Sequence, residues 1–130
     1  MTTMTRTPNT ALLRLVLTHI EMHPHQWRQD MWRTDCGTAF CYAGWTVLLS
    51  GGRFAVEPDD PKIHYSTLVV PPGTDPTDTT AWRRIDEYAA ELLGIPVDPT
   101  HRFAHPLFRP ANTLDDLRRI VRQLCEGATS

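Results

Sequence analysis

The chain has few of the features that assign a protein quickly to a class. It contains three cysteines, and Lys62 is its single lysine against twelve arginines. A small odd number of cysteines does not make the disulfide framework of a secreted domain, so we expect a reducing compartment. Because the formal net charge is -2, the chain lacks the basic excess of a dedicated nucleic-acid-binding protein. We therefore expect a cytoplasmic protein that does not bind nucleic acid.

Long apolar runs and catalytic signatures are also missing. No window of about 18 residues is free of polar side chains, so we expect no membrane-spanning segment, and the first residues do not resemble a secretion signal. The sequence contains no P-loop, dinucleotide-binding glycine pattern, HExxH, GxSxG or EF-hand loop. These absences argue against an enzyme and favour a non-catalytic binding protein.

The length of 130 residues and a hydrophobic content of 41% predict one folded domain. We expect residues 1–8 to be a disordered tail, residues 9–127 to form a single globular helical domain, and residues 128–130 to be a second tail. Apolar residues at helical spacing predict four main helices, over about 10–22, 39–50, 79–93 and 114–126. The second is apolar on nearly every side, which is typical of a buried helix. The expected fold is therefore mainly α, with four main helices around a buried central helix.

Residues 53–78 differ in character from the rest of the chain. Their prolines exclude a helix of any length: Pro58, Pro61, Pro71, Pro72 and Pro76. β-Branched and aromatic residues from Ile63 to Val70 favour one strand, with Val56 in its partner. We therefore expect an irregular, Pro-rich excursion that contains at most a small β-hairpin. An excursion of this length is unusual in a compact domain, so it is a candidate functional or mobile loop.

Cys36 and Cys41 flank a turn, Gly37-Thr38, at the predicted start of the central helix. Four interpretations stay open: two structural residues, a disulfide across the turn, a zinc site, or a nucleophile at a helix N-terminus. The zinc site would need histidine ligands, since no second pair of cysteines or histidines has metal-binding spacing. The candidate ligands are His23, His25, His64, His101 and His105. No other cofactor is expected.

The segment from His23 to Trp32 is unusually aromatic for a loop, and we interpret it as an ordered connector laid over the core. Trp27 and Trp32 offer flat apolar faces beside the polar groups of Gln29 and His23, a combination found in ligand sites. A small-ligand pocket between the connector and the central helix is therefore one hypothesis, and core packing of both indoles is the alternative. Gly44, inside the predicted helix, favours close packing of another backbone or indole against it.

Two groups of arginines lie on the predicted third and fourth helices: Arg83 and Arg84, then Arg118, Arg119 and Arg122. A solvated helix surface explains both groups. The functional alternative is a patch for an anion or an acidic partner, which neighbouring aspartates and glutamates would partly neutralise. The sequence makes no prediction of the oligomeric state.

The connector and the cysteine segment together read H-P-x-x-W-x-Q-x-x-W followed by C-G-T-x-x-C-x-A-G-W, across residues 23–45. This pattern resembles a family of small, functionally uncharacterised proteins from actinobacteria and their phages. Residues 89–94, 107–108 and 113–117 are similar to the second half of the family's pattern, so the resemblance covers most of the chain apart from residues 53–78. It implies a phage or prophage accessory protein that engages a host protein.

Overall fold

The computed structural model describes residues 7–34, 37–98, 100 and 102–129. Within these residues the chain forms four α-helices and one three-stranded antiparallel sheet. The elements in chain order are α1 (Thr10–Met22), α2 (Tyr42–Leu49), β1 (Arg53–Glu57), β2 (Asp60–Val70), β3 (Arg83–Arg84), α3 (Ile85–Leu93) and α4 (Leu114–Thr129). Short 3-10 turns lie at Pro24–Gln26, Thr79–Ala81 and Pro106–Phe108. None of the described helices combines the length and the hydropathy needed to cross a membrane.

The expectation of a mainly α fold is wrong, because the Pro-rich segment builds a sheet. β1 pairs antiparallel with β2 in a hairpin, and β3 adds to the other edge of β2. The prolines do exclude a helix, but they lie where strands tolerate them. Pro58 is in the hairpin turn, Pro61 is near the start of β2, and Pro71 follows its end directly. The protein therefore has a mixed α/β fold, in which residues 53–78 are mostly a hairpin rather than an irregular excursion.

The third strand displaces the predicted start of the third helix. That helix was expected from Thr79 or Thr80, but α3 begins at Ile85. Residues 83–84 are instead extended, because they pair with β2 opposite Val69 and Leu68. A two-residue strand has no periodicity of its own, so only its distant partner distinguishes it from the first turn of a helix.

The helix termini follow local capping chemistry. α1 spans the predicted residues, and the Asn9 carboxamide oxygen accepts a hydrogen bond from the Leu12 N–H at 3.1 Å. Thr113 followed by Asp116 three residues later predicts a variant of the capping box at the start of α4. This prediction is confirmed: the Thr113 hydroxyl accepts from the Asp116 N–H at 3.1 Å, and the Asp116 carboxylate accepts from the Thr113 N–H at 3.0 Å. Gly94 ends α3 in the left-handed conformation, with φ 68°.

Two helix boundaries differ from the prediction. α2 begins at Tyr42 rather than Ala39, because residues 39–41 are extended and Phe40 pairs with the connector. α4 continues through Gly127 to Thr129, so the predicted end at Gly127 is wrong. Glycine lowers helix propensity but does not by itself end a helix.

The core lies between the helices and the inner face of the sheet, with α2 packed against α1 and α3 and with α4 packed against α1. The helical spacing of apolar residues predicts ten buried side chains, of which Trp45, Leu48 and Leu92 are only partly buried. The other seven are buried as predicted: Leu13, Val16, Ile20, Ile85, Phe108, Leu117 and Val121. α2 packs against both α1 and α3, and the Tyr42 hydroxyl there donates to the Leu13 carbonyl at 2.6 Å.

Gly44 lies where the connector crosses α2, as its position in the sequence predicts. A Cβ atom at Gly44 would lie 2.5 Å from the carbonyl oxygen of Trp32 and 2.9 Å from the Cβ of Phe40. Since neither atom is the end of a flexible side chain, we expect Gly44→Ala to lower the free energy of unfolding by about 1–3 kcal/mol in urea denaturation.

Gly127→Ala is the matched control for this substitution. No atom lies within 4 Å of a Cβ built on Gly127, and alanine favours a helix over glycine by up to about 1 kcal/mol. Gly127→Ala should therefore be neutral or stabilising. The same loss of stability in both variants would contradict the close approach of the connector to α2.

Candidate functional site

The connector, residues 23–32, is held against the start of α2 by hydrogen bonds. The Phe40 N–H donates to the Gln26 carbonyl and the Arg28 N–H donates to the Phe40 carbonyl, each at 3.0 Å. The indole N–H of Trp45 donates to the same Gln26 carbonyl at 2.9 Å. The connector is thus an ordered part of the fold, as predicted from its aromatic content.

The side-chain amide of Gln29 is the centre of this arrangement. It is 7% exposed, and its Oε1 accepts from the Trp27 indole N–H at 3.0 Å and from the Tyr42 N–H at 3.3 Å. Its Nε2 donates to the carbonyls of Leu107 and Arg109, at 3.1 and 2.9 Å. Two acceptor positions and two N–H groups are the full capacity of an amide. Gln29 therefore joins the connector, α2 and the segment before α4 at one buried group.

An open cavity of about 330 Å³ lies beside Trp32, and we call it the Trp32 cavity. The rings of Trp32 and Phe103 form part of its wall, with their centroids 6.2 Å apart. The remaining lining residues come from β2, from the β3–α3 junction and from the loop after α3: Thr67, Arg84, Ile85, Asp86 and Arg102. The volume is at the lower end of the range of small-molecule sites.

A second cavity, of about 70 Å³, is lined by the same two rings. Its lining includes Gln29, Trp32 and Phe103. The hydrogen-bonded amide of Gln29 and the Trp32–Phe103 wall are therefore in direct contact with one small space. Any change in the position of Gln29 would reach the Trp32 cavity through these rings.

The two arginines that line the Trp32 cavity differ in whether a carboxylate offsets their charge. Asp86 is buried, and its carboxylate accepts from the Arg84 guanidinium and from the Glu87 N–H, both at 2.8 Å. Arg84 also lies 3.3 Å from the Glu87 carboxylate, so its charge is offset twice. The Arg102 guanidinium instead lies over the Phe103 ring, 5.6 Å from its centroid, and forms no ion pair with any described residue. Arg102 is thus the cation at this cavity that an anion could engage.

The indole N–H of Trp32 also differs from those of the other tryptophans. Trp27, Trp45 and Trp82 each donate to an oxygen at 2.9–3.0 Å. The Trp32 N–H has no hydrogen-bond partner among the residues that the structure describes. Because Trp32 is only partly buried, its N–H is accessible and can bond to water or to a ligand.

The backbone next to Phe103 is strained. Ala104 has φ 70°, the only positive φ at a non-glycine residue in the described ranges. This left-handed backbone conformation is unfavourable for a residue with a Cβ. Strain of this kind persists where the surrounding structure fixes it, and it is concentrated at functional sites. The buried Ala104 therefore fixes the direction of the loop that carries Arg102 and Phe103.

The structure brings two of the four predicted ligand residues together. Gln29 and Trp32 line the same small cavity, whereas Trp27 contributes through its bond to Gln29. His23 lies apart at the end of α1, where its ring stacks on His19 at 4.4 Å and its Nδ1 is 3.0 Å from the His19 carbonyl oxygen. Burial and the neighbouring His23 lower the pKa of His19, so we expect a neutral imidazole there at neutral pH.

Of the two cysteines in the predicted site, the structure describes Cys41 and not Cys36. The disulfide and zinc interpretations that need Cys36 therefore stay predictions. Cys41 is a free, buried cysteine whose Sγ accepts from the Gly44 N–H at 3.5 Å at the start of α2. Burial raises the pKa of Cys41 to about 12, which favours a structural thiol over a nucleophile. Within the described part of the chain no three metal-ligating side chains form a group that could hold an ion.

The sequence analysis missed most of the Trp32 cavity. Thr67 and Phe103 carry no motif, and Arg84 was treated as a surface charge of a helix. A usable signal was Asp86, a carboxylate two residues after Arg84 and directly after Ile85, which was predicted to be buried. A buried carboxylate needs a charged or hydrogen-bonding partner, and that requirement points to a polar site at this end of the helix.

Comparisons with known proteins give no relative: no family model, no curated protein and no solved structure matches the chain. The resemblance to small actinobacterial and phage proteins therefore stays a prediction.

We expect Gln29→Leu to be strongly destabilising. The leucine side chain is of similar size but removes the acceptor of the Trp27 indole N–H and of the Tyr42 N–H, and each unsatisfied buried group costs about 1–3 kcal/mol. The Leu107 and Arg109 carbonyls lose one donor each but keep hydrogen bonds from Asn112. A loss of about 2–4 kcal/mol of unfolding free energy should appear in urea denaturation. Gln123→Leu, on the exposed side of α4, is the matched control and should change stability by less than about 0.5 kcal/mol. A Gln29→Leu protein as stable as that control would contradict the four-bond arrangement.

We expect Cys41 to resist alkylation in the native state. Because its pKa is raised to about 12, almost no thiolate forms at pH 8, and the buried sulfur reacts only when the chain opens. Peptide mapping by mass spectrometry after iodoacetamide treatment measures this residue separately from the other two cysteines. Modification of Cys41 within minutes in native buffer, at the rate seen in urea, would contradict the assignment of a structural thiol.

Proposed function

We propose that this protein is a non-catalytic binding protein, and that its ligand is a small planar molecule with an anionic group that occupies the Trp32 cavity. The observation that carries the proposal is the lining of this cavity: Trp32, whose indole N–H has no hydrogen-bond partner among the described residues, a second ring, and Arg102, which forms no ion pair with any of them. These groups are a hydrogen-bond donor, an apolar face and a cation within one space of about 330 Å³.

The planar part of the ligand follows from the two rings. Aromatic side chains bind flat groups through stacked or edge-to-face contacts, each worth about 0.5–1.5 kcal/mol beyond the buried area. The rings of Trp32 and Phe103 lie with their centroids 6.2 Å apart in the wall of the cavity, so a flat group can contact both of them.

The anionic group follows from the charges. The cavity lining holds two guanidinium groups and one carboxylate, and the carboxylate is already engaged by Arg84. Arg102 has no ion pair and the Trp32 N–H has no hydrogen bond with any described residue, and both groups are donors. A carboxylate, sulfonate or phosphate oxygen satisfies both at once, and a guanidinium binds such groups with good geometry.

The non-catalytic part of the proposal follows from what the described lining offers. Nucleophilic catalysis needs a nucleophile beside a base that activates it. Thr67 is the one hydroxyl of the described lining, and it lies there without a histidine, a cysteine or a lysine. Asp86 is hydrogen-bonded to the groups that position it rather than open to a substrate.

The resemblance to small actinobacterial and phage proteins suggests the cellular context of this ligand binding. We propose an accessory protein in the cytoplasm of an actinobacterial cell, of phage or prophage origin, and the engagement of a host protein stays part of that proposal. A zinc or thiol site that includes Cys36 is the remaining alternative.

A panel of matched ring compounds tests the proposal. The probes are 1-naphthoate, 1-naphthyl phosphate and indole-3-acetate, with 1-naphthylmethylammonium as the cation of similar size, and binding is followed by calorimetry. We expect at least one anion to bind with a Kd of about 0.1 mM or tighter, which corresponds to about −5.5 kcal/mol. The cation should bind at least about tenfold more weakly.

Two variants locate the binding site. Trp32→Phe keeps a ring but removes the N–H, and Arg102→Gln removes the charge; each should weaken anion binding about tenfold, as the loss of a hydrogen bond to a charged group does. Arg109→Gln, an exposed arginine outside the Trp32 cavity, is the control and should bind as the wild type does. If no anion in the panel binds, or if both cavity variants bind normally, the proposal fails.

A further inference from the structure

An apolar stripe lies on the outer face of α1. Leu15 is 53% exposed and Met22 is 70% exposed, and together with Ile63 they are the large hydrophobic residues that the described chain leaves in solvent. Leu15 and Met22 are seven residues apart, so they share one face of the helix, and the exposed Ala11 and Thr18 lie along the same face. This face is opposite the buried Leu13, Val16 and Ile20. The stripe is about 10 Å long from Leu15 to Met22.

A groove lies beside this stripe, between α1 and α4. It has a volume of about 330 Å³ and an apolar floor of Leu17, Val121 and Cys125. Its other lining residues are charged: Arg14, Arg118, Arg122 and Glu126. Arg14 follows the stripe around α1, so the groove and the stripe form one continuous surface, which we call the α1–α4 face.

The arginines of the α1–α4 face are not equivalent. Arg118 binds Glu21 at 2.7 Å and Asp115 at 2.9 Å, so its charge is satisfied within the fold. Arg14 and Arg122 are exposed and form no ion pair with any residue that the structure describes. Glu126 is the one carboxylate of the groove lining, against three arginines. The lining therefore keeps a positive balance beside its apolar residues, in a chain whose formal net charge is -2, and such a balance selects for acidic groups.

We infer that the α1–α4 face binds an amphipathic helix of a partner protein, with carboxylates that flank the apolar side of that helix. A groove between two helices with an adjacent apolar stripe fits the helix-in-groove mode, in which apolar residues at i, i+3, i+4 and i+7 supply the anchors. The carboxylates would lie against Arg14 and Arg122. This surface is separate from the Trp32 cavity, because none of its residues lines that cavity.

A second copy of this chain fits the α1–α4 face less well than an acidic helix does. In a two-fold dimer the same patch faces itself, which would bring the arginines of one copy towards those of the other. Like charges placed opposite one another suppress such pairing.

The test uses two designed helical peptides, each labelled with a fluorophore and held helical by an internal staple. Both carry leucines at i, i+3, i+4 and i+7, and they differ in having glutamates or lysines beside these leucines. We expect fluorescence anisotropy to show that the acidic peptide binds at least about tenfold more tightly than the basic one. Its binding should weaken as salt is raised, because exposed charges are screened.

Substitutions on the exposed α1–α4 face should remove this binding without unfolding the protein. We expect the double variant Arg14→Glu, Arg122→Glu and the double variant Leu15→Gln, Met22→Gln each to lose at least about tenfold in affinity for the acidic peptide. Lys62→Glu with Arg109→Glu makes the same change of charge elsewhere on the surface and should leave binding unchanged. Melting temperatures of all variants should stay close to that of the wild type.

Three results would overturn the inference. One is a wild-type protein that binds the two peptides equally or binds neither. Another is normal binding by both α1–α4 variants. The third is a concentration-dependent dimer in sedimentation that the Leu15→Gln, Met22→Gln variant abolishes, which would make a second copy the occupant of this face.

Discussion

The side-chain amide of Gln29 holds together three parts of the chain that are far apart in sequence. Its hydrogen bonds reach the connector at Trp27, the first residue of α2, and two carbonyls close to residue 108. Because the amide is buried, each of these groups would lose a partner inside the protein if Gln29 moved, and water could not replace it without opening the core. Gln29 therefore determines where the connector runs and, with it, where Trp32 lies.

The position of Trp32 depends on two further constraints. The first is Gly44, whose missing side chain lets the Trp32 carbonyl approach α2. The second is the short strand β3, which pairs with the end of β2 and so brings Arg84 and Asp86 beside the connector. The wall of the Trp32 cavity is thus built by hydrogen bonds and close backbone contacts, whereas the α1–α4 face is a helix surface that the core leaves uncovered.

Local patterns in the sequence predict the parts of this fold that local chemistry decides. The extent of α1, the capping box at Thr113, the end of α3 at Gly94 and the tight packing at Gly44 each depend on neighbouring residues. The sheet was underestimated because β3 is defined by its pairing with a distant strand rather than by a periodicity of its own. The same limit applies to the site: Gln29 and Trp32 lie within one motif, but Arg102 and Phe103 reach them only through the folded chain.

The hydrogen exchange of the four indole N–H groups, followed by NMR, tests this account most directly. The N–H of Trp27 is bonded to Gln29, those of Trp45 and Trp82 are bonded to backbone carbonyls, and that of Trp32 has no partner in the described residues. Exchange of a bonded N–H needs local opening, so we expect the Trp32 signal to exchange at least about tenfold faster than the other three. An N–H of Trp27 that exchanges as fast as that of Trp32, or one of Trp32 that is protected as strongly as that of Trp27, would contradict the account.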